Sequence, residues 1–122
     1  MDLNFNSTQP IYLQVANEIE EGILNGSFNA GTRIPSTTEI STTFHINPAT
    51  VLKGMNLLVV KNLLVKHRGR GMFVTQNAKE KIKKERQNNF YQSKIIKIIR
   101  EARELGFTED DLIKLIKRGY QH

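Results

Sequence analysis

The stretch NPATVLKGMNLLV, Asn47 to Val59, constrains this chain more than any other. Asparagine is a favoured N-cap because its side-chain oxygen accepts from a first-turn N–H that has no partner inside the helix. Pro48 suits the first helical position, where its missing N–H is not needed. A helix therefore starts abruptly here. Val51, Leu52, Met55, Leu58 and Val59 recur at three- and four-residue spacing and are expected to pack inward, leaving Ala49, Thr50, Lys53 and Asn56 on the opposite side. That outer face is small, hydrogen-bonding and cationic. It suits the major groove of DNA, where small side chains permit close approach and a lysine meets a phosphate or a guanine edge. A core helix with a solvated face would give the same pattern, so the flanking segments decide between the two.

Upstream, Met1 to Gln9 is polar, and Pro10 opens a helix expected to continue to about Asn25, with Gly26 as its stop. Tyr12, Val15, Ala16, Ile19, Ile23 and Leu24 form its apolar stripe; Asn17, Glu18, Glu20 and Glu21 are expected to face water. GSFNAGTRIP, Gly26 to Pro35, reads as a loop that Phe28 and Ile34 could anchor, with Arg33 its only charge. Ser36 and Glu39 then have capping-box spacing, with Ile40 and Phe44 one turn apart behind them, so a short helix is expected over roughly Thr37 to Phe44. With His45 and Ile46 as a tight connection, the order is helix, turn, helix.

Downstream, Lys61 and Asn62 should break the third helix. Leu63 to His67 and Met72 to Thr75 read as two strands around Arg68, Gly69, Arg70 and Gly71. Glycines allow close approach and arginine favours the negative potential of a minor groove or a phosphate backbone, so the hairpin tip fits a wing beside a reading helix. A turn whose arginines are merely solvated is the alternative. In this order the segments make a winged helix-turn-helix the better account. Charge agrees: Met1 to Pro35 carries one arginine against four acids, Ser36 to Thr75 five cations against Glu39, and Gln76 to His122 twelve cations against seven acids, within a net of +6.

The chain has no cysteine, which excludes disulfides, thiol catalysis and thiolate metal sites. His45, His67 and His122 lack metal-ligand spacing, and no glycine-rich phosphate loop follows a strand, so neither an enzyme nor a cofactor is expected. The N-terminus MDLNFNSTQP lacks the basic and apolar regions of a signal peptide, and no run approaches a membrane span. A cytoplasmic protein with no membrane partner is the expectation.

The helix, GTRIPS loop, capped helix, NPATVLKGM helix and RGRGMFV hairpin together resemble the winged-helix domain of the GntR family of bacterial transcription regulators, over about Pro10 to Thr75. NPATVLKGM is similar to the NPxTVxKxY stretch of the YtrA subfamily, with Met55 at the tyrosine position. The resemblance implies DNA contacts from Ser36, Thr38, Asn47, Pro48, Ala49, Thr50, Lys53, Arg68, Gly69 and Arg70. Many family members have arginine where this chain has Thr38 and Pro48. Bidentate guanine readout is lost at those two positions, and specificity falls to Thr50, Lys53, the wing, or DNA shape. The resemblance also implies a short helical C-terminal domain that forms homodimers, and a repressor acting on its own operon and on genes for an ABC transporter.

In the tail, AKEKIKKERQ, Ala78 to Gln87, reads as a solvated helix or linker, with a basic arm on DNA phosphates as the alternative. From Phe90 a helix is expected with Ile95, Ile96, Ile98, Ile99, Ala102 and Leu105 along one side and Gly106 as its stop. Thr108 and Asp111 then cap a last helix bearing Leu112, Ile113, Leu115 and Ile116 and ending near Gly119. Two short helices cannot bury that much aliphatic surface on each other and need the winged domain or a second chain as cover; Ile95, Ile98, Ile99, Ala102, Leu105, Leu112, Leu115 and Ile116 are assigned to a homodimer contact.

The expected architecture is mainly α with a small β-hairpin wing (α+β). Residues 1–77 form a winged-helix DNA-binding domain and residues 78–122 a helical dimerisation and effector-response domain. The expected partners are a double-stranded, palindromic DNA operator, a second copy of the chain, and a small-molecule effector at the dimer interface or between tail and winged domain. A nucleic-acid-binding protein without sequence preference, or an architectural one, is the alternative function.

Overall fold

Pro10, with φ near −54°, leads into α1 (Ile11–Leu24), and its carbonyl accepts from the N–H groups of Leu13 and Gln14. The computed structural model describes all 122 residues. Ahead of α1, the buried Gln14 amide ties down the N-terminal segment: it accepts from Asn4 N–H at 2.7 Å and donates to the carbonyls of Asn4 and Gln9, both at 2.9 Å. Val15, Ala16, Ile19 and Ile23 are buried, as their spacing requires. Glu20, expected to face water, is only 5% exposed. Its carboxylate lies 3.5 Å from the Lys61 ammonium at the end of the third helix, and a carboxylate at that depth needs such a partner.

Ser36 and Glu39 close both hydrogen bonds of a capping box and start α2 (Thr37–Phe44). His45 ends α2 in the left-handed region at φ 56°, and Ile46, 6% exposed, pins the turn into the core. Asn47 caps α3 (Pro48–Val60) by accepting from Ala49 N–H at 2.8 Å, with Pro48 in the first turn. Val51, Met55 and Leu58 are sealed and Val59 is half-buried, but Leu52 is 39% exposed, so the inner stripe is narrower than the sequence pattern indicated. Gly54 fills the missing place. A Cβ there would lie 2.6 Å from the Tyr12 carbonyl oxygen and 3.3 Å from Val15 Cβ, so α1 and α3 pack backbone against backbone at this point.

After Asn62, at φ 60°, β1 (Leu64–His67) and β2 (Gly71–Val74) pair antiparallel with Leu64 opposite Val74 and His67 opposite Gly71. The segment Gly31 to Ile34, expected as loop, lies along the other edge of β2: Gly31 N–H donates to Val74 O, Val74 N–H to Thr32 O, and Ile34 N–H to Met72 O, all between 2.8 and 3.0 Å. Thr32 and Ile34 are β-branched and flank the one residue, Arg33, that pairs with Phe73 as a bridge.

α4 (Ala78–Phe90) contributes Ala78 and Ile82 to the same core as Val15, Ile19, Met55, Leu58, Leu64 and Val74. Each fully buried Val, Leu, Ile or Met side chain in it stabilises the fold by about 1.5–3 kcal/mol. The chain clusters into two compact units, Met1–Lys83 and Lys84–His122.

In the second unit, the separate helix expected from Phe90 is instead a continuation of α4 through a π-helical turn, Tyr91–Ile95, into α5 (Ile96–Glu104). No glycine or proline lies between Ala78 and Glu104 to stop it. Gly106, at φ 82°, makes the turn, and a Thr108–Asp111 capping box starts α6 (Glu109–Tyr120). An open groove of about 500 Å³ is lined by Ile95, Ile98, Ile99, Ala102, Leu112 and Ile116, among others. No helix of the chain is long and apolar enough to cross a membrane.

Two outcomes follow from this packing. Alanine in place of a helical glycine ordinarily stabilises by about 1 kcal/mol. Gly54→Ala should instead destabilise by roughly 1–3 kcal/mol through overpacking, seen as a lowered Tm. The Thr108 main-chain N–H, and next its hydroxyl, hold the Asp111 carboxyl below the usual aspartate range. The cap therefore contributes fully above that range and is lost as pH falls through the depressed folded value. Acid titration followed at the Thr108 amide should show the start of α6 releasing below the ordinary aspartate range, and Asp111→Ala should abolish that step.

Candidate nucleic-acid interface

The residues that the sequence marked for DNA lie on three linked segments. The first is the start of α2. Ser36 Oγ accepts from Glu39 N–H at 3.0 Å, so its lone pairs serve the cap while the hydroxyl proton stays available to an acceptor. Thr38, two residues further on, is exposed. The second is the start of α3. Asn47 Oδ1 is engaged by Ala49 N–H, which leaves the amide NH2 as a donor group, and donors are what a phosphate oxygen requires.

Asn47, Pro48, Ala49 and Lys53 are exposed and Thr50 is half-buried. Leu52, displaced from the core, joins this outer face and adds an apolar group of the kind that meets a thymine methyl. The sequence pattern missed it because five apolar residues at this spacing span a wider arc than the core contact covers.

The third segment is the wing. The Arg70 N–H donates to the His67 carbonyl at 2.8 Å, and Gly69, at φ 77°, occupies the third position of that turn, as in a type II turn. A Cβ on Gly69 would meet nothing within 4 Å, so the tip stands in open space. Arg68 and Arg70 are exposed; the Arg70 guanidinium lies 5.3 Å from the Phe73 ring centroid, and His67 packs edge-on against the same ring at 4.9 Å. Phe73 thus braces the cationic side of the wing.

Arg33 links the first segment to the third and was not singled out from the sequence. Its backbone bridges Phe73, its guanidinium lies 3.9 Å from the Glu39 carboxylate, and its stem is close enough to Gly71 that a Cβ there would sit 3.1 Å from Arg33 Cδ. The ion pair is exposed and energetically minor, so the backbone pairing sets the geometry. The alternation Thr32, Arg33, Ile34 was the available signal. The second segment joins the first through Thr37, whose hydroxyl donates to Met55 Sδ at 3.5 Å, and through Ser41, whose hydroxyl donates to the Ile46 carbonyl. No group of three or more His, Asp or Glu residues is placed to hold a metal ion.

A capped helix, a three-residue turn, a second capped helix with a small cationic face and an arginine-tipped hairpin define a winged helix-turn-helix DNA-binding domain. The model of bacterial regulatory proteins of the gntR family matches residues 11–74, more than half of the chain, and the chain belongs to that family. Over 73 residues it is 36% identical to the HTH-type transcriptional repressor YtrA of Bacillus subtilis, covering 60% of this chain and 56% of that protein. Its fold is similar to the crystal structure of a putative GntR-family transcriptional regulator from Bacteroides thetaiotaomicron, at 30% identity and TM-score 0.77, over 91% of this chain and 96% of that one. The DNA-binding domain of AraR, solved in complex with operator ORR3, is similar over 62% of this chain and 90% of that one, at 31% identity and TM-score 0.55. The matched proteins are transcription regulators, a class distinct from enzymes.

Proposed function

We propose that this chain is a homodimeric, sequence-specific repressor that reads a palindromic operator. The observation that carries the reading is the pairing of an exposed, small and cationic start of α3 with an exposed two-arginine wing tip, on elements tied together through Arg33 and Thr37. Ser36, Thr38, Asn47, Pro48, Ala49, Thr50, Lys53, Arg68, Gly69 and Arg70 are its DNA contacts. In this reading Asn47 and Ser36 orient the domain on phosphates, Thr50, Leu52 and Lys53 read base edges, and Arg68 and Arg70 enter the flanking groove. The similarity to YtrA, named a repressor, supports the sign of regulation; its own operon and a transporter operon are the expected targets.

The homodimer rests on the second unit. Ile98, Ile113 and Ile116 line the 500 Å³ groove and are exposed, and Leu105 and Tyr120 are 70% and 89% exposed. An apolar surface of this extent on a helix pair calls for a cover. Two copies joined there read two half-sites at once, which multiplies affinity and specificity. An effector that favoured one spacing of the two α3 helices would regulate such a dimer.

Selection from a randomised duplex pool should recover an inverted repeat whose binding survives excess unrelated DNA. Enrichment of no motif, with binding titrated away by the competitor, would favour non-specific or architectural binding instead. On the recovered site Lys53→Ala should weaken binding, and Arg70→Ala should lower the slope of log affinity against log salt by about one for each phosphate contact removed, with stability changed by no more than about 0.5 kcal/mol. Ile116, 51% exposed, should be dispensable for folding of the monomer. Ile116→Asp should shift sedimentation at tens of micromolar from dimer to monomer and reduce operator affinity by at least tenfold; a monomeric parent protein at that concentration would overturn the dimer.

A further inference from the structure

Lys53 is not a freely swinging cation. Its ammonium lies 4.1 Å from the centroid of the Tyr12 ring, on a helix remote in sequence, while its side chain remains exposed. Gly54, the next residue on α3, explains how the two come together. With no Cβ to hold the Tyr12 carbonyl away, the first turn of α1 approaches α3 so closely that any larger residue would collide at 2.6 Å, and this places the half-buried Tyr12 ring beside Lys53. The backbone that carries the ring is fixed by the α1–α3 packing, whereas an exposed lysine on a helix surface otherwise samples many rotamers and loses that freedom when it binds.

We propose that Tyr12 is a positioning residue for DNA recognition: its ring face holds the Lys53 ammonium at the outer face of α3 before DNA arrives. A ring face occupies one side of an ammonium and leaves its other N–H donors free for a phosphate or a guanine edge, so the two interactions are compatible. The partner is DNA, and the gain is a smaller ordering penalty on binding. This inference rests on the reading of Lys53 as a DNA contact and extends it to a residue outside the helix-turn-helix and the wing.

The test uses full-length protein, the duplex recovered by selection and a scrambled duplex of the same length. In the free protein, the Lys53 ε-methylene protons should be shifted upfield by the ring current in the parent and in Tyr12→Phe, and not in Tyr12→Leu. On the selected duplex Tyr12→Phe should bind like the parent. Tyr12→Leu, which keeps apolar bulk but removes the ring face, should lose roughly two- to fivefold affinity per half-site, the worth of one exposed cation–π contact. That loss should vanish when Tyr12→Leu is made in a Lys53→Ala background.

Absence of the upfield shift in the parent would overturn the proposal. So would a Tyr12→Leu loss that persists undiminished in the Lys53→Ala background, or tighter binding by Tyr12→Leu, which would mean that the ring competes with DNA for the cation. If Lys53→Ala binds like the parent while the upfield shift is present, the assignment of Lys53 to the DNA interface has failed and the positioning role falls with it, whereas the intramolecular contact stands.

Discussion

The close approach of α1 to α3 at Gly54 is the constraint on which the winged-helix unit depends. Because no side chain separates Tyr12 from α3, Val15 and Ile19 of α1 are buried in the same core as Val51, Met55 and Leu58, all fully sealed. The Glu20–Lys61 pair spans the same two helices and gives the one deeply buried carboxylate its counter-charge. With that frame set, α2 needs only Ile40 in the core and a short turn to hold it, and the wing is carried by Leu64, Met72 and Val74. Of the two helices at this seam, α3 turns its buried side to α1 and leaves outward the face proposed to meet DNA.

Caps settle where α2 and α3 start, and in doing so they sort hydrogen-bonding capacity. Ser36 and Asn47 turn their acceptors toward first-turn N–H groups. What remains outward is donor capacity, matched to an anionic ligand and poorly matched to a cationic one. The local rule that shapes the backbone thus also biases the surface chemistry.

Much of this was legible in the residues themselves. The Asn47–Pro48 start, the Ser36–Glu39 and Thr108–Asp111 boxes, the glycine at 106 and the strand pair around Arg68 to Gly71 are local signals, and local signals survive into the fold. What the sequence withheld depends on partners distant along the chain. Glu20 has the neighbours of a surface residue and becomes buried because Lys61 reaches it; Leu52 has the spacing of a core residue and is released because Gly54 takes the contact. Gly31 to Ile34 looks like loop until β2 offers an edge. The stretch Ala78 to Gln87 is dominated by charge and reads as a solvated helix or linker because one large apolar residue, Ile82, carries no periodic signal, yet Ile82 and Ala78 are core. At the interface, the cationic residues were visible and their supports, Tyr12, Phe73 and Arg33, were not.

The strand-like segment beside β2 also limits how copies of this protein can meet. One edge of the hairpin is already occupied by the chain's own backbone, and the strand forming the other, β1, displays Lys66 and His67. Exposed sheet edges are the usual route to uncontrolled strand-to-strand growth, and here one is closed and the other bears a charged side chain. The β-structure of this chain therefore offers little template for pairing with a second copy, and the apolar surface left exposed is helical.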